Sequence, residues 1–382
     1  MMNQFSIEPK VYFNRNSIEY LSNLKGNRAF IVTDGVMKQL GFVDKIINTL
    51  SENKITCNVF SDVKPDPDIK MIVEGMKKMS DVNPDVVIAL GGGSVIDTTK
   101  GILYCLWKLK ESKKEEFKKP NFIAIPSTSG TGSEVTSFSV IKIGDEKLAL
   151  VDEWMLPDVA ILDPIFVESV PASITADTGM DVLCHALEAY VSTDASEFTD
   201  ALAEKSVKLV FDYLLDAYRD GLNKNAREKM HNASCIAGMA FTNASLGINH
   251  SLAHALGGTF HIPHGRANAL LLPYIVAYNA DLENGAKSLA AEKYAYLAKL
   301  LNLPSRNAEE GTRNLIKAIQ VLKNEMNMPV GICNLNIEKD VFIKELETLS
   351  TLAINDSCTV TNPRKPSIED IKKLYIDVFQ GN

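Results

Sequence analysis

Six histidines are the first residues that suggest chemistry, because all of them fall in one short part of the 382-residue chain. Imidazole is the commonest metal ligand in proteins and the usual acid or base near neutral pH. This part of the chain is therefore the first place to expect a reactive site. The six positions are His185, His231, His250, His254, His261 and His264.

The spacing of several of these residues indicates a metal site. Asp181 and His185 are four residues apart in a helical pattern, and so are His250 and His254, so each pair shares one helix face. His264 follows a proline, in a sequence typical of a loop that presents a ring back toward the helix. One carboxylate with three imidazoles suits Fe(II) or Zn(II) and leaves positions open for a substrate oxygen.

Each of these residues also has a simpler interpretation. A single Asp-x-x-x-His spacing occurs often by chance, and any one histidine can be an ordinary core or surface residue. We expect that of His231. We expect His261 to be structural, or to support a ligand, rather than to bind a metal directly.

A run of three glycines, Gly91-Gly92-Gly93, stands between a predicted strand and a predicted helix. Glycines let the backbone approach a ligand closely, and the free N–H groups at a helix N-terminus bind anions such as a pyrophosphate. The alternative is a tight turn in which Ser94 or Asp97 caps the helix.

Two further segments point to the same ligand. Pro126–Glu134 follows another predicted strand and is rich in hydroxyls and glycines, which suit a ribose or a phosphate but also occur in ordinary turns. Asp34 closes the first clear strand, where a carboxylate accepts from a ribose 2′-hydroxyl and repels a 2′-phosphate. Asp34 therefore predicts NAD rather than NADP, unless it serves only as a helix N-cap.

The secondary-structure pattern changes along the chain. Short apolar runs alternate with helical patterns in the first third, which indicates a parallel sheet covered on both faces. From about Pro171 only helical patterns follow. We predict an α/β N-terminal dinucleotide-binding domain with a mostly parallel sheet over residues 1–178, and an all-helical C-terminal metal-binding and substrate domain over residues 179–382. The predicted strands are Ala29–Thr33, Ile55–Phe60, Asp85–Leu90 and Asn121–Pro126.

Composition excludes several classes of protein. Hydrophobic residues make up 46% and charged residues 23%, which is ordinary for a globular chain, and the net charge of -8 has the wrong sign for nucleic acid or acidic membranes. The six cysteines include no C-x-x-C, and the sequence shows neither a signal-peptide pattern nor a membrane span. We therefore expect a cytoplasmic protein without nucleic-acid or membrane partners.

Several motifs together resemble the iron-containing, or group III, alcohol dehydrogenase family. They run in family order over nearly the whole chain, and the two histidine-bearing motifs are the most specific of them. The matching stretches are Gly91–Asp97, Pro126–Thr136, Pro157–Pro164, Thr178–Tyr190, His250–Gly265 and Thr361–Arg364.

The resemblance implies a role for each matching site residue. His254 is implied to lie near the nicotinamide and the substrate, where we expect it to relay a proton or position the reactants. The implied metal ligands, in a cleft between the two domains, are Asp181, His185, His250 and His264. Besides Asp34, the implied cofactor residues are Gly92, Gly93, Ser94, Asp97, Thr128, Thr136 and Lys147.

The resemblance also implies an activity. The reaction is hydride transfer between NAD(H) and a small primary alcohol or diol and its aldehyde, and NADP(H) is the less favoured cofactor. The metal is one divalent ion, Fe(II) ahead of Zn(II). The protein is expected to be a homo-oligomer of two or more subunits. The alternatives are a glycerol or sugar-phosphate dehydrogenase, a dehydroquinate-synthase-like lyase, and a non-catalytic nucleotide-binding or filament-forming protein. A phosphate-bearing substrate would need several cationic side chains beside the metal motifs, and only Arg266 is close in sequence.

Overall fold

The computed structural model describes residues 4–65, 67–143 and 146–381, with side chains for all of these except 143 and 146–149. They form two units. One is Ser6–Ser169, and the other comprises, among the described residues, 4–5 and 170–381. The predicted division between residues 178 and 179 falls inside a helix that begins at Ala172. Because that helix packs along its length on other helices of the second unit, the units divide earlier than the sequence predicts.

The first unit is built on a six-stranded sheet whose neighbouring strands are all parallel. Its strands and those of a separate antiparallel hairpin are β1 (Lys10–Phe13), β2 (Arg28–Asp34), β3 (Thr56–Val63), β4 (Val86–Gly91), β5 (Asn121–Pro126), β6 (Phe138–Ile143), β7 (Glu146–Val151) and β8 (Val159–Leu162). The order in the sheet is β1-β8-β5-β4-β2-β3, and β6 pairs with β7. The predicted parallel sheet is thus confirmed.

Both faces of this sheet are buried, which explains the continuous apolar strands. Ile31 and Ile88 face one apolar layer, and their neighbours Phe30 and Val87 face the other. The helices of the unit are α1 (Gly35–Gln39), α2 (Phe42–Glu52), α3 (Ile69–Val82) and α4 (Gly93–Ser112). The apolar spacing over residues 36–50 predicts a single helix, but the backbone of Gly41 is left-handed, with φ of 77°, and divides this segment into α1 and α2.

Four strands do not follow from the sequence pattern. Strand β1 lies at the sheet edge with most of its residues exposed, so it has no apolar run. Strand β8 is apolar but only four residues long. Strands β6 and β7 form a hairpin outside the main sheet, so the alternation of strands and helices does not reveal them.

The second unit is helical over its described length. Its helices are α5 (Ala172–Val191), α6 (Glu197–Arg219), α7 (Lys224–Ala244), α8 (Ile248–Phe260), α9 (His264–Asn279), α10 (Leu289–Leu300), α11 (Ala308–Glu325), α12 (Lys339–Asn355) and α13 (Ile368–Gln380). Apolar side chains of α8, α9, α12 and α13 share one core. This confirms the predicted all-helical second domain. Among the described residues, no helix combines the length and the apolar character that crossing a membrane requires.

Helix α9 is the element that the sequence pattern hides. It contains Pro273, and its stretch over residues 269–276 is apolar on nearly all sides because the helix is buried. A helix buried all round has no amphipathic periodicity to detect. Its first residue is His264, so the prediction of a loop at His264 is wrong: Pro263 precedes the helix and His264 opens it.

Candidate metal and nucleotide sites

The four predicted metal ligands meet in one cluster of the helical unit. Asp181 and His185 lie one turn apart on α5, His250 lies on α8, and His264 opens α9. One ligand atom from each side chain lies within 4.8 Å of the others. Three helices thus bring together residues that are up to 83 positions apart, from Asp181 to His264 (264 - 181).

The spacing of the ligand atoms fits one small cation. Oδ1 of Asp181 is 3.8 Å from Nε2 of His250 and 3.5 Å from Nε2 of His264. Neighbouring ligand atoms of a tetrahedral site with metal–ligand distances of about 2.1 Å are roughly 3.4 Å apart. The donor set therefore fits Fe(II) or Zn(II) with little rearrangement.

Close packing of two helices places His264. A side-chain carbon built on Gly265 would lie 2.1 Å from the carbonyl oxygen of Asp177 on α5. Only glycine allows the first turn of α9 to approach α5 this closely. Arg266, on the next position, reinforces the contact through a bidentate ion pair in which Nε and Nη2 donate to Asp177 at 3.1 and 2.9 Å.

Burial determines the protonation of the cluster. Asp181, His185 and His250 are 3%, 4% and 1% exposed. Burial raises the pKa of Asp181 to about 7 and lowers the pKa of His250 well below its usual value. The neutral imidazole is the form that binds a metal, and a buried carboxylate is stable only beside a positive charge or a donor. A divalent cation would supply that charge.

Glu188, which the sequence analysis does not identify, orients His250. Nδ1 of His250 donates to Oε2 of Glu188, so Nε2 keeps its lone pair for the cluster. Oε1 of Glu188 accepts from the backbone N–H groups of Asn249 at 2.7 Å and His250 at 3.3 Å, and burial raises the pKa of Glu188 to about 8. Its position three residues after His185 on the same helix is the sequence signal that marks it.

His254 lies beside the cluster but outside it. Its Nδ1 donates to Oδ2 of Asp356 at 2.8 Å, which leaves Nε2 available for another partner. Its ring stacks on that of His264 with centroids 5.3 Å apart, and its side chain is 32% exposed. Asp356 is a second residue that the sequence analysis does not identify, since it is 102 positions away in the chain.

The other two histidines are not part of the cluster. His231 is buried on α7, and burial lowers its pKa to about 4. His261 is exposed at the C-terminal end of α8, with a left-handed backbone at φ of 55°.

The C-terminal motif Thr361–Arg364 anchors the helix that carries His250. Oγ1 of Thr361 donates to the carbonyl of Leu246 at 2.7 Å, and Oδ1 of Asn362 accepts from the backbone N–H of Ile248 at 3.2 Å. Asn362 also exchanges amide hydrogen bonds with Asn279 at the end of α9. This motif therefore positions the N-terminus of α8.

The glycine run lies at the switch point of the sheet. In the sheet, β3 lies on one side of β2, whereas β4 and β5 lie on the other side. The direction of the chain therefore reverses between β2 and β4, and the carboxyl ends of these two strands flank the crevice where such sheets bind ligands. Gly92 precedes α4 without any side-chain cap, so neither Ser94 nor Asp97 caps this helix. Because the first residues of a helix have no acceptor for their N–H groups within the helix, the N-terminus of α4 can bind an anion.

Two hydroxyl residues of the second loop pack on the glycine run. A side-chain carbon built on Gly92 would lie 3.3 Å from Thr128, and one built on Gly93 would lie 2.7 Å from Thr131. The structure therefore brings Gly92, Gly93 and Thr128 together, and their binding of a cofactor stays a prediction.

Asp34 is both a helix cap and a neighbour of the glycine run. Its Oδ1 accepts from the backbone N–H groups of Val36 at 2.9 Å and Met37 at 3.0 Å. A side-chain carbon built on Gly91 would lie 3.1 Å from its Oδ2. The capping interpretation is thus correct, and it leaves the second carboxylate oxygen at the switch point.

Asp97 and Thr136 support the second loop from inside. Oδ1 of Asp97 accepts from Oγ of Ser133 at 2.6 Å, and Oδ2 accepts from the backbone N–H of Val140 at 3.1 Å. Thr136 is buried. Direct contact of either residue with a cofactor stays a prediction. Lys147 belongs to β7, but its side chain lies outside the described residues.

Lys100, which the sequence analysis does not identify, is the centre of this support. It is fully buried on α4, and burial lowers its pKa to about 8. Its Nζ lies within 3.0 Å of four oxygen atoms, which belong to Ser133, Thr136 and Phe138. One amine thus links the end of the second loop to α4, the helix that follows the glycine run.

The fold and the two sites together define a class of protein. It joins a parallel α/β unit with a glycine-rich loop at its switch point to a helical unit with one carboxylate and three imidazoles in a cluster.

Comparison with known protein families shows which family of that class the chain matches. Residues 8–164 match the family described as iron-containing alcohol dehydrogenase, and residues 175–379 match the C-terminal part of the same family. The chain belongs to the iron-containing alcohol dehydrogenase family.

Individual relatives agree with this assignment. The chain is 39% identical to an NADPH-dependent butanol dehydrogenase of Clostridium saccharobutylicum, covering 100% of this chain and 99% of that one. It is 41% identical to an aldehyde-alcohol dehydrogenase of Streptococcus pneumoniae. That match covers 100% of this chain but only about half, 46%, of the longer relative. The solved structure of an alcohol dehydrogenase from Oenococcus oeni superimposes with a TM-score of 0.91 at 31% identity, covering 99% of this chain and 100% of that one.

Proposed function

We propose that this protein is a metal-dependent, nicotinamide-linked alcohol dehydrogenase and aldehyde reductase. It transfers hydride between NAD(H) and a small primary alcohol or diol and its aldehyde. The observation that carries this proposal is the cluster of Asp181, His185, His250 and His264, whose ligand atoms lie within 4.8 Å of one another and of which the first three are buried.

The chemistry divides between the bound groups and the chain. A divalent metal, Fe(II) ahead of Zn(II), supplies Lewis acidity toward the oxygen of the alcohol or aldehyde, and the nicotinamide supplies hydride transfer. Glu188 keeps the Nε2 lone pair of His250 directed at the cluster. Asp356 holds Nδ1 of His254, so the remaining nitrogen of that ring can carry or accept the proton exchanged with the substrate.

A neutral substrate fits the helical unit better than a phosphate ester. Arg266 is a cationic residue two positions after His264, and its guanidinium donates to both carboxylate oxygens of Asp177. An anionic substrate would have to compete with that bidentate pair. We therefore rank a small alcohol above the sugar-phosphate alternatives.

Removing His264 tests the metal site. We expect His264→Ala to lower bound metal from one ion per chain to less than about one tenth, and turnover by about a thousandfold, because several kcal/mol of Lewis-acid stabilisation are lost. Metal content is measured by elemental analysis after loading with Fe(II) or Zn(II). His261→Ala is the matched control, since His261 is exposed and outside the cluster, and should retain both. Stoichiometric metal in His264→Ala would contradict the ligand assignment.

Asp34 tests the cofactor. We propose NAD(H) over NADP(H), because the free carboxylate oxygen of Asp34 would repel a 2′-phosphate. Asp34→Ser keeps a capping oxygen for α1 but removes the charge. We expect the ratio of kcat/KM for NADP(H) to that for NAD(H) to rise about tenfold or more, as one unit charge near a phosphate is worth more than 1 kcal/mol.

The matched control for this change is Asp68→Ser. Asp68 also caps a helix of the first unit, where it accepts from the backbone N–H of Met71 at 2.8 Å. Its substitution should leave cofactor preference unchanged. Initial rates over a panel of alcohols and aldehydes, each with NAD(H) and NADP(H), give the measurement, and equal use of both cofactors by the unaltered protein would remove the role of Asp34.

A homo-oligomer stays a prediction from the family resemblance.

A further inference from the structure

Asn268 is a buried residue of α9 that contacts three of the four proposed ligands. It is 0% exposed. Its Nδ2 lies 2.6 Å from Oδ1 of Asp181 and 3.2 Å from Nε2 of both His250 and His264. A single amide nitrogen therefore contacts one ligand atom of each of these three residues.

The neighbouring residue Asn249 holds this amide in one orientation. Nδ2 of Asn249 donates to Oδ1 of Asn268 at 2.9 Å and to its backbone carbonyl at 3.3 Å. The backbone N–H of Asn249 is itself bound by Glu188 at 2.7 Å. If the amide of Asn268 were turned over, its oxygen would face the carboxylate oxygen of Asp181, which is repulsive. The NH₂ group is thus directed at the ligands by contacts on both sides.

The donor and acceptor inventory separates the two states of the cluster. The amide of Asn268 has two N–H groups and no lone pair on nitrogen, so its nitrogen cannot be a metal ligand. Each imidazole Nε2 has one lone pair, which serves either an N–H of Asn268 or a metal. The oxygen of Asp181 has a further lone pair, so it can keep its hydrogen bond to Asn268 while it binds a metal.

We propose that Asn268 is a positioning residue that holds Asp181, His250 and His264 in their ligating arrangement before a metal binds, and then continues to orient Asp181. This inference rests on the proposed metal site. Groups that hydrogen-bond to metal ligands in this way typically contribute about ten- to a hundredfold to metal affinity.

Metal titration of the whole 382-residue chain tests the inference. Protein freed of metal by chelation is titrated with Co(II), followed by its visible absorption, and with Zn(II) in competition with a chelating dye. We expect Asn268→Ala to weaken both affinities by about ten- to a hundredfold and to alter the Co(II) spectrum, because Oδ1 of Asp181 loses the amide that donates to it at 2.6 Å.

A buried polar residue of another helix provides the control. Ser206 on α6 is 0% exposed and donates to the backbone carbonyl of Ala233 on α7 at 2.9 Å, away from the proposed ligands. Ser206→Ala should lower the unfolding midpoint, because a buried hydrogen bond is lost, but should change the Co(II) and Zn(II) affinities by less than about threefold. If Asn268→Ala does not fold, Asn249→Ala leaves Asn268 in place and should weaken affinity in the same direction.

The outcomes are distinct. Metal affinities and a Co(II) spectrum of Asn268→Ala that match those of the unaltered protein would overturn the positioning role while leaving the metal site intact. An unaltered protein that binds neither Co(II) nor Zn(II) stoichiometrically would overturn the proposed function itself.

Discussion

Gly265→Ala is expected to lower turnover by about a hundredfold or more and to destabilise the helical unit by about 2–4 kcal/mol. The new carbon would lie 2.1 Å from the carbonyl oxygen of Asp177 and 2.7 Å from its carbonyl carbon. Ordinary contact is about 3.5 Å, so the first turn of α9 must move by roughly 1 Å or more. That movement displaces His264 and separates Arg266 from Asp177. A backbone carbonyl within α5 cannot yield as a flexible side chain would.

The measurements are metal content, turnover and the thermal unfolding midpoint. Gly258→Ala is the matched control, because a carbon built on this glycine of α8 meets nothing within 4 Å. It should retain activity and gain about 0.5–1 kcal/mol of stability, since alanine is the better helix former. Full metal content and turnover in Gly265→Ala would show that α9 can shift without moving His264, contrary to this prediction.

Lys100→Met is expected to raise the dissociation constant for NADH by about tenfold while kcat at saturating cofactor changes by less than about threefold. The substitution removes the donor that Nζ supplies to four oxygens at the end of the second loop and just after it, which belong to Ser133, Thr136 and Phe138. Each buried acceptor that is left unpaired costs about 1–3 kcal/mol, offset in part by removing a buried amine. The loop that carries Thr128 would then no longer be held against the glycine run, so cofactor binding rather than hydride transfer is affected.

The control for this prediction is Lys323→Met. Lys323 is also a buried lysine, but it lies on α11 of the other unit, and burial likewise lowers its pKa to about 8. NADH fluorescence gives the dissociation constant, and initial rates separate KM from kcat. Lys323→Met should leave the NADH dissociation constant unchanged. An unchanged constant in Lys100→Met, beside a lower unfolding midpoint, would mean that Lys100 only stabilises the fold.

Much of the fold follows from local pattern. Apolar runs such as Val86–Gly91 are buried on both faces of a parallel sheet, and burial on both faces is what makes them continuously apolar. Elements without such a signature were missed: β1 because it is an exposed edge, β8 because it is short, and α9 because it is buried all round and contains Pro273. The periodicity that reveals an element exists only where one face is buried and the other is solvated.

The candidate site divides in the same way. The identities of the histidines and their spacing of four residues on α5 and α8 were sufficient to nominate a metal site, because helical geometry relates positions i and i+4 without reference to the rest of the chain. The choice among the imidazoles rested on family resemblance, since local spacing treats His250 and His254 alike. In the folded chain His250 faces the cluster and contacts Glu188, whereas His254 contacts Asp356.

The supporting residues depended on packing alone. Asn268, Asp356 and Lys100 reach Asp181, His254 and Ser133 respectively through contacts 33 to 102 positions away, and nothing in their local sequence distinguishes them from ordinary polar residues. Residue types and spacing therefore determined which chemistry the chain carries. The close approach of α9 to α5, which only Gly265 permits, determined that His264 reaches the ligands on the other helices, because a side chain acts only where backbone packing delivers it.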